Sequence, residues 1–194
     1  MNWQEIKNKY ALDPEVQQLM AVECIGGSNA RVRYYVKQDG GWWLLHRGTA
    51  FIGKNGLGKT REGDAKTPEG EIRPLCAFGI KPNPGTALPY IDVTVGTVAC
   101  DAEGPFYNRI VGFPEYCDAF GPDLPGEKMW QLSPEYDYGI QTDFNADNVY
   151  PLGSAIFIHC KGAKTWTGGC VALDKRLMRQ ILKTATRGLV ISIH

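Results

Sequence analysis

The sequence lacks most of what would mark a nucleic-acid, metal or membrane protein. It has no net charge, because 21 lysines and arginines offset 21 aspartates and glutamates. Such a balance leaves no electrostatic footprint for nucleic acid or an anionic membrane. Scattered basic residues such as Arg31 and Arg33 are expected on a solvated strand face. Histidine is scarce, at three residues, and no C-x-x-C pair occurs, so no metal site and no cofactor is expected. Met1 to Met20 contains Asp13 and Glu15 and lacks the apolar h-region of a signal peptide. No integral membrane segment is expected either.

What is present is 194 residues at 43% hydrophobic, enough for one substantial core. Residues 1–17 read as a helical extension. Trp3, Ile6 and Tyr10 share one helical face, Asn2 stands as its cap, and Asp13-Pro14-Glu15 reads as a second helix start. Residues 18–194 read as the main domain. Arg31–Val36 alternates with period two and places Val32, Tyr34 and Val36 inward; Asp39-Gly40-Gly41 then turns the chain into Trp42–Leu45, a hairpin. His46, at its end, reads as structural. From Pro82 to Tyr150 prolines, glycines and aromatics predominate without periodicity, which suits short strands and loops. Asp174 to Ala185 reads as a helix capped by Asp174 and ended near Gly188, and Leu189–Ile193 as a closing buried strand. The sum is a mainly β fold with a few peripheral helices.

One place gathers the groups needed for acyl transfer. Thr167-Gly168-Gly169-Cys170 follows His159 by a short interval. Ser154–His159 reads as a strand, Lys161–Thr165 as a surface loop, and Cys170–Leu173 as a return beside that strand. A free thiol is mostly protonated at neutral pH, so a nucleophilic Cys170 needs a base, and His159 is the candidate. Gly168 and Gly169 would open backbone amides to an oxyanion, with Thr167 in support. No acidic residue lies near these motifs, so a backbone carbonyl is the expected partner of the imidazole. Two glycines before a cysteine also suit a tight turn beside a core thiol, and that alternative stands at this level.

Gly53–Thr60 matches the phosphate-binding expression G-x-x-x-x-G-K-[ST] at every position. The chemistry requires a helix to start at the lysine, but Gly63, Pro68 and Gly70 follow too closely for one. The stretch therefore reads as a glycine-rich loop. Cys24, Cys76, Cys100, Cys117 and Cys160 accompany Cys170. If Cys170 stays reduced, at most two disulfides can form, and Cys160 falls on the strand face opposite His159.

Ile158-His159 with Thr167–Leu173 resembles the signature of the L,D-transpeptidase catalytic domain, the YkuD-type fold. Ile52–Gly56, Glu62-Gly63-Asp64 leading to Lys66–Gly70, Tyr107-Asn108 and Gly153–His159 resemble one branch of that family, in the right order. The resemblance spans roughly residues 30 to 193. It departs at Gly168, where many members carry a second histidine, at Ala172, where many carry arginine or asparagine, and in a shorter interval from His159 to Thr167 that suggests a trimmed loop. What the resemblance implies is a β-sandwich that acts on peptidoglycan stem peptides. Cys170 would attack the carbonyl before a terminal D-alanine, release that alanine and pass the acyl group to an acceptor amine. An L,D-carboxypeptidase that uses water instead, and a wall-binding module without catalysis, are the alternatives. Family substrates lie in the cell wall, so an exported protein is expected, with its signal segment absent from this chain.

Overall fold

The computed structural model describes residues 3–112 and 126–194. Asn2 and Cys117, named above, lie outside the described residues. The protein is mostly β. A first helix α1 (Trp3–Lys9) leads to three long strands, β1 (Gln18–Gly26), β2 (Asn29–Gln38) and β3 (Gly41–Phe51). Short strands follow: β4 (Gly70–Ile72), β5 (Pro74–Gly79), β6 (Tyr90–Asp92), β7 (Val98–Ala99), β8 (Ile110–Val111), β9 (Glu127–Lys128) and β10 (Gly139–Thr142). The C-terminal part carries β11 (Phe157–Cys160), β12 (Val171–Leu173), α2 (Lys175–Leu182) and β13 (Leu189–Ile193).

Ten strands form one sheet in the order β4-β13-β1-β2-β3-β12-β11-β10-β5-β6, and β8-β7-β9 form a small second sheet. The large sheet closes around its own core: Ile72 of β4 and Ala77 of β5, from opposite ends of the strand order, share one apolar cluster with Val32, Tyr34, Ile158 and Leu173. Leu177, Met178, Ile181 and Leu182 of α2 join it, which is the apolar face that helical spacing predicts.

The β2–β3 hairpin turns at Asp39-Gly40, both with positive φ (49° and 76°), the geometry that matches the twist of the strands. Val32 and Tyr34 point into the main core and Val36 packs against it. Tyr35, on the other face, joins Ile6, Tyr10 and Val16 in a second cluster that seats α1 on the sheet. The helix expected at Asp13 is absent. Asp13 Oδ1 instead accepts the Glu15 N–H at 2.9 Å, a side-chain turn that competes with helix initiation. α2 is where the sequence places it and starts after Asp174, but the Asp174 side chain caps no helical N–H and pairs with Lys161 at 3.2 Å instead. Gly188 lies beyond the helix, and a Cβ there would stand 2.6 Å from the Glu15 carbonyl oxygen. His46 stacks on Tyr34, ring centroids 6.2 Å apart.

Candidate active site

The site lies where β11 and β12 run side by side. Ile158, Cys160, Val171 and Leu173 point into the main core. Strand alternation therefore sends Phe157, His159, Cys170 and Ala172 to the opposite face, where Phe157 and Cys170 join a smaller cluster with Phe78 and Tyr136. The pairing is parallel, with Ile158 beside Val171 and His159 beside Ala172. Cys170 thus lies level with the start of β11, and His159 one pleat repeat further along the same face. The chain does return beside the strand it left, in the same direction. His159, Thr167, Gly168, Gly169 and Cys170 all line one cavity of about 280 Å³.

The Cys170 sulfur is held by the backbone that leads into β11. It accepts the Phe157 N–H at 3.3 Å, and its S–H donates to the Ala155 carbonyl at 3.1 Å. Burial pushes the thiol up to about 12; the Glu127 carboxylate adds to the shift, and the Phe157 N–H and the Lys59 ammonium oppose it. Cys170 is therefore a neutral thiol at pH 7.

His159 Nδ1 stands 2.8 Å from the Cys160 carbonyl oxygen. A carbonyl can only accept, so Nδ1 carries the proton and Nε2 keeps its lone pair. This is a backbone carbonyl in the place where one was expected. Burial lowers the pKa of the imidazole, against the Cys160 carbonyl and the Glu135 carboxylate, which favour the charged form. The Tyr136 ring meets the imidazole edge-on, centroids 5.5 Å apart, and its hydroxyl donates to Glu127. Thiol and imidazole are thus both neutral at rest.

The turn before Cys170 is tied by Thr167, whose Oγ1 donates to the Cys170 carbonyl at 2.6 Å and accepts the Gly169 N–H at 3.1 Å. This corrects the expected pairing of glycines as oxyanion donors, since the Gly169 amide is occupied inside the turn. Gly169 is needed for space instead: a Cβ would stand 2.8 Å from the Lys66 carbonyl oxygen. Gly168 is exposed, its N–H meets no acceptor among the described residues, and a Cβ there would meet nothing within 4 Å. Gly168 is thus the glycine whose amide and space are open.

The phosphate-binding match resolves as a loop folded around a carboxylate. Asp64 accepts N–H bonds from Thr60, Arg61 and Lys66 and pairs with Lys59 at 3.0 Å, both side chains nearly sealed from solvent. The amides of Lys54, Asn55, Gly56 and Lys59, which a phosphate would need, are taken by the Thr167, Ala65, Gly53 and Thr67 carbonyls. Lys59 reaches the cavity wall beneath Gly169. Glu62 lines the same cavity, and its carboxylate takes hydrogen bonds from Tyr107 and Ser154, each at 2.7 Å.

Lys59, Glu127, Glu135 and Tyr136 carry no local pattern that marks them as site residues: Lys59 comes from the glycine-rich loop, Glu127 from β9, and Glu135 and Tyr136 from the turn before β10. Cys24, Cys76, Cys160 and Cys170 are unpaired thiols, and Cys160 lies on the core side as alternation predicts. Among the described residues, no group of three or more His, Cys, Asp or Glu is placed to hold a metal, and no helix is long and apolar enough to cross a membrane.

Two solved structures are similar in outline. One is the helical cell shape determining protein Pgp2 (K307A mutant) from Campylobacter jejuni, at 19% identity and TM-score 0.48, over 92% of this chain and 47% of that one. The other is Bdellovibrio bacteriovorus Bd1075, at 13% identity and TM-score 0.47, over 92% of this chain and 48% of that one. The chain spans about half the length of these structures. No curated protein sequence matches it. The family model for the L,D-transpeptidase catalytic domain, YkuD, matches residues 27–193, a span that takes in both strands of the site, and the chain belongs to that family.

Proposed function

We propose that the chain is a cysteine-dependent L,D-transpeptidase of peptidoglycan stem peptides, working through a thioester on Cys170, in an exported protein of the cell envelope. The observation that carries this reading is the placement, on one sheet face and in one cavity, of a neutral thiol and an imidazole whose Nδ1 is held by a carbonyl, which leaves Nε2 as the basic nitrogen. His159 Nε2 takes the thiol proton as the sulfur adds to the carbonyl before the terminal D-alanine. The carbon–nitrogen bond then breaks, and the imidazolium returns the proton to the departing amine. The Gly168 amide is the donor for the oxyanion. An acceptor amine next attacks the thioester and gives its proton to His159, which passes it to the sulfur as the carbon–sulfur bond breaks. Water in the amine's place makes the same site a carboxypeptidase.

The experiment is intact-mass analysis after mixing with a tetrapeptide stem. An adduct or product is expected with the wild type, none with Cys170→Ala, and a rate about 100-fold or more lower with His159→Ala. Adding an acceptor amine separates cross-linked dimer from tripeptide. Tetrapeptide binding without adduct or product sinks the catalytic reading in favour of a wall-binding module.

A further inference from the structure

Tyr107 and Asn108, adjacent in the sequence, both bond to the segment 153–155 that carries the sulfur's acceptor. Asn108 takes a left-handed backbone conformation, φ 61°, which asparagine tolerates better than most residues. Its own N–H is anchored on the Cys100 carbonyl at 2.9 Å. The side-chain Nδ2 donates to the Phe144 and Asn145 carbonyls at 3.0 and 2.9 Å, and Oδ1 accepts the Ala155 N–H at 2.9 Å. Two carbonyls on one side and an N–H on the other fix which end of the amide faces which.

Ala155 is itself left-handed, φ 50°, a costly conformation for a residue with a Cβ and one that persists only where the surroundings enforce it. Its carbonyl is the acceptor for the Cys170 thiol at 3.1 Å. The two residues before it are braced as well. Gly153 N–H donates to the Tyr107 hydroxyl at 2.9 Å, and Tyr107 and Ser154 both donate to Glu62. Residues 153–155 are thus held one by one, and Asn108 holds the one that touches sulfur.

We propose that Asn108 is a positioning residue for the Cys170 sulfur, acting through the Ala155 amide to hold the Ala155 carbonyl against the thiol. Its effect on turnover rests on the reading of Cys170 as nucleophile; its effect on the sulfur does not. A carbonyl oxygen favours S–H over the thiolate, so releasing Ala155 makes Cys170 easier to ionise while leaving it less well placed to attack. The other charged and titratable groups around the cavity are Lys59, Glu62, Asp101, Glu127, Glu135, Tyr136, His159 and Lys164, and none of them bonds to Asn108.

Asn108→Gly is the test, because glycine keeps the left-handed backbone and removes only the side chain. Iodoacetamide labelling across pH, resolved cysteine by cysteine, is expected to show Cys170 reacting about tenfold faster at pH 8 than in the wild type. Cys160, buried on the opposite face, should stay protected, and stem-peptide turnover should fall about tenfold or more. An unchanged Cys170 labelling profile overturns the proposal. If labelling shifts while Cys170→Ala retains full turnover, the positioning stands and the nucleophile reading fails. Should Asn108→Gly expose Cys160 through misfolding, hydrogen exchange in the wild-type protein decides. There the Ala155 amide should exchange about 100-fold more slowly than the open Gly168 amide after allowance for intrinsic rates, and equal rates overturn the proposal.

Discussion

Thr167 Oγ1 makes two bonds at once, to the Gly169 N–H and the Cys170 carbonyl, from a side chain 8% exposed. Thr167→Val keeps the shape and leaves both backbone groups without that partner, which costs about 1–3 kcal/mol. Urea unfolding should register that loss, with turnover falling too, whereas Thr167→Ser retains both; a valine variant as stable as wild type would mean that the hydroxyl does not tie the turn. The imidazole supplies a second prediction at this scale. Burial holds the His159 pKa below its ordinary 6.5, so the base stays neutral as pH falls through 6.5 and is protonated only below it. The acid limb of kcat/KM should therefore have its midpoint under 6.5. A midpoint above 7 would show an imidazolium stabilised at rest, contrary to the neutral pair.

At the scale of elements, the strands that carry the site were legible because each is an apolar run ending in a polar punctuation: Phe157–Cys160 before Lys161, Val171–Leu173 before Asp174. Their parallel direction was not, because β12 is also paired with β3, where Ala172 and Leu173 meet Phe51 and Ala50, and a distant strand decides it. The Asp13 helix failed for a similar reason: its carboxylate closes a turn, and Lys37 takes the Asp13 carbonyl at 2.6 Å, contacts that no local rule foresees. The glycine-rich loop shows a motif defeated by its context: Asp64 accepts the Thr60 N–H, and the Thr167, Ala65, Gly53 and Thr67 carbonyls accept those of Lys54, Asn55, Gly56 and Lys59. Burial alone would raise the Asp64 pKa, but the N–H groups of Thr60, Lys66 and Arg61 and the Lys59 ammonium hold it at about 2, below the ordinary 3.8. Its folded pKa is thus depressed, so its stabilisation is fully present above 3.8 and is lost as pH falls through about 2. The size is about 2 kcal/mol. Asp64→Asn also leaves a buried ammonium unpaired and should cost about 3 kcal/mol at pH 7. Urea midpoints at pH 7 and pH 2 test both, and a variant that loses as much stability on acidification as wild type would refute the assignment.

For the whole molecule, the sheet keeps separate clusters on its outer side: Ile6, Tyr10, Leu19, Tyr35 and Val190 beneath α1, and Phe78, Tyr136 and Phe157 beneath the site. The main core lies between them and draws on nearly every strand. We propose that residues 1–17 are an extension that stabilises the domain without entering its chemistry, since none of the described residues among them lines the site cavity. Ile6 is fully buried in the α1 cluster, so Ile6→Ala removes apolar contacts and leaves a cavity, at a cost of about 2–4 kcal/mol. The site sits across the core from that loss, and changes at distant sites that share no partners act independently. Urea unfolding should therefore show a lower midpoint with unchanged slope, while kcat and KM, measured at a temperature where the variant remains folded, stay within about twofold of wild type. A tenfold drop in kcat with the protein still folded would mean that the α1 cluster and the β11–β12 site are mechanically coupled through β1 to β3, and the extension would then belong to the catalytic unit.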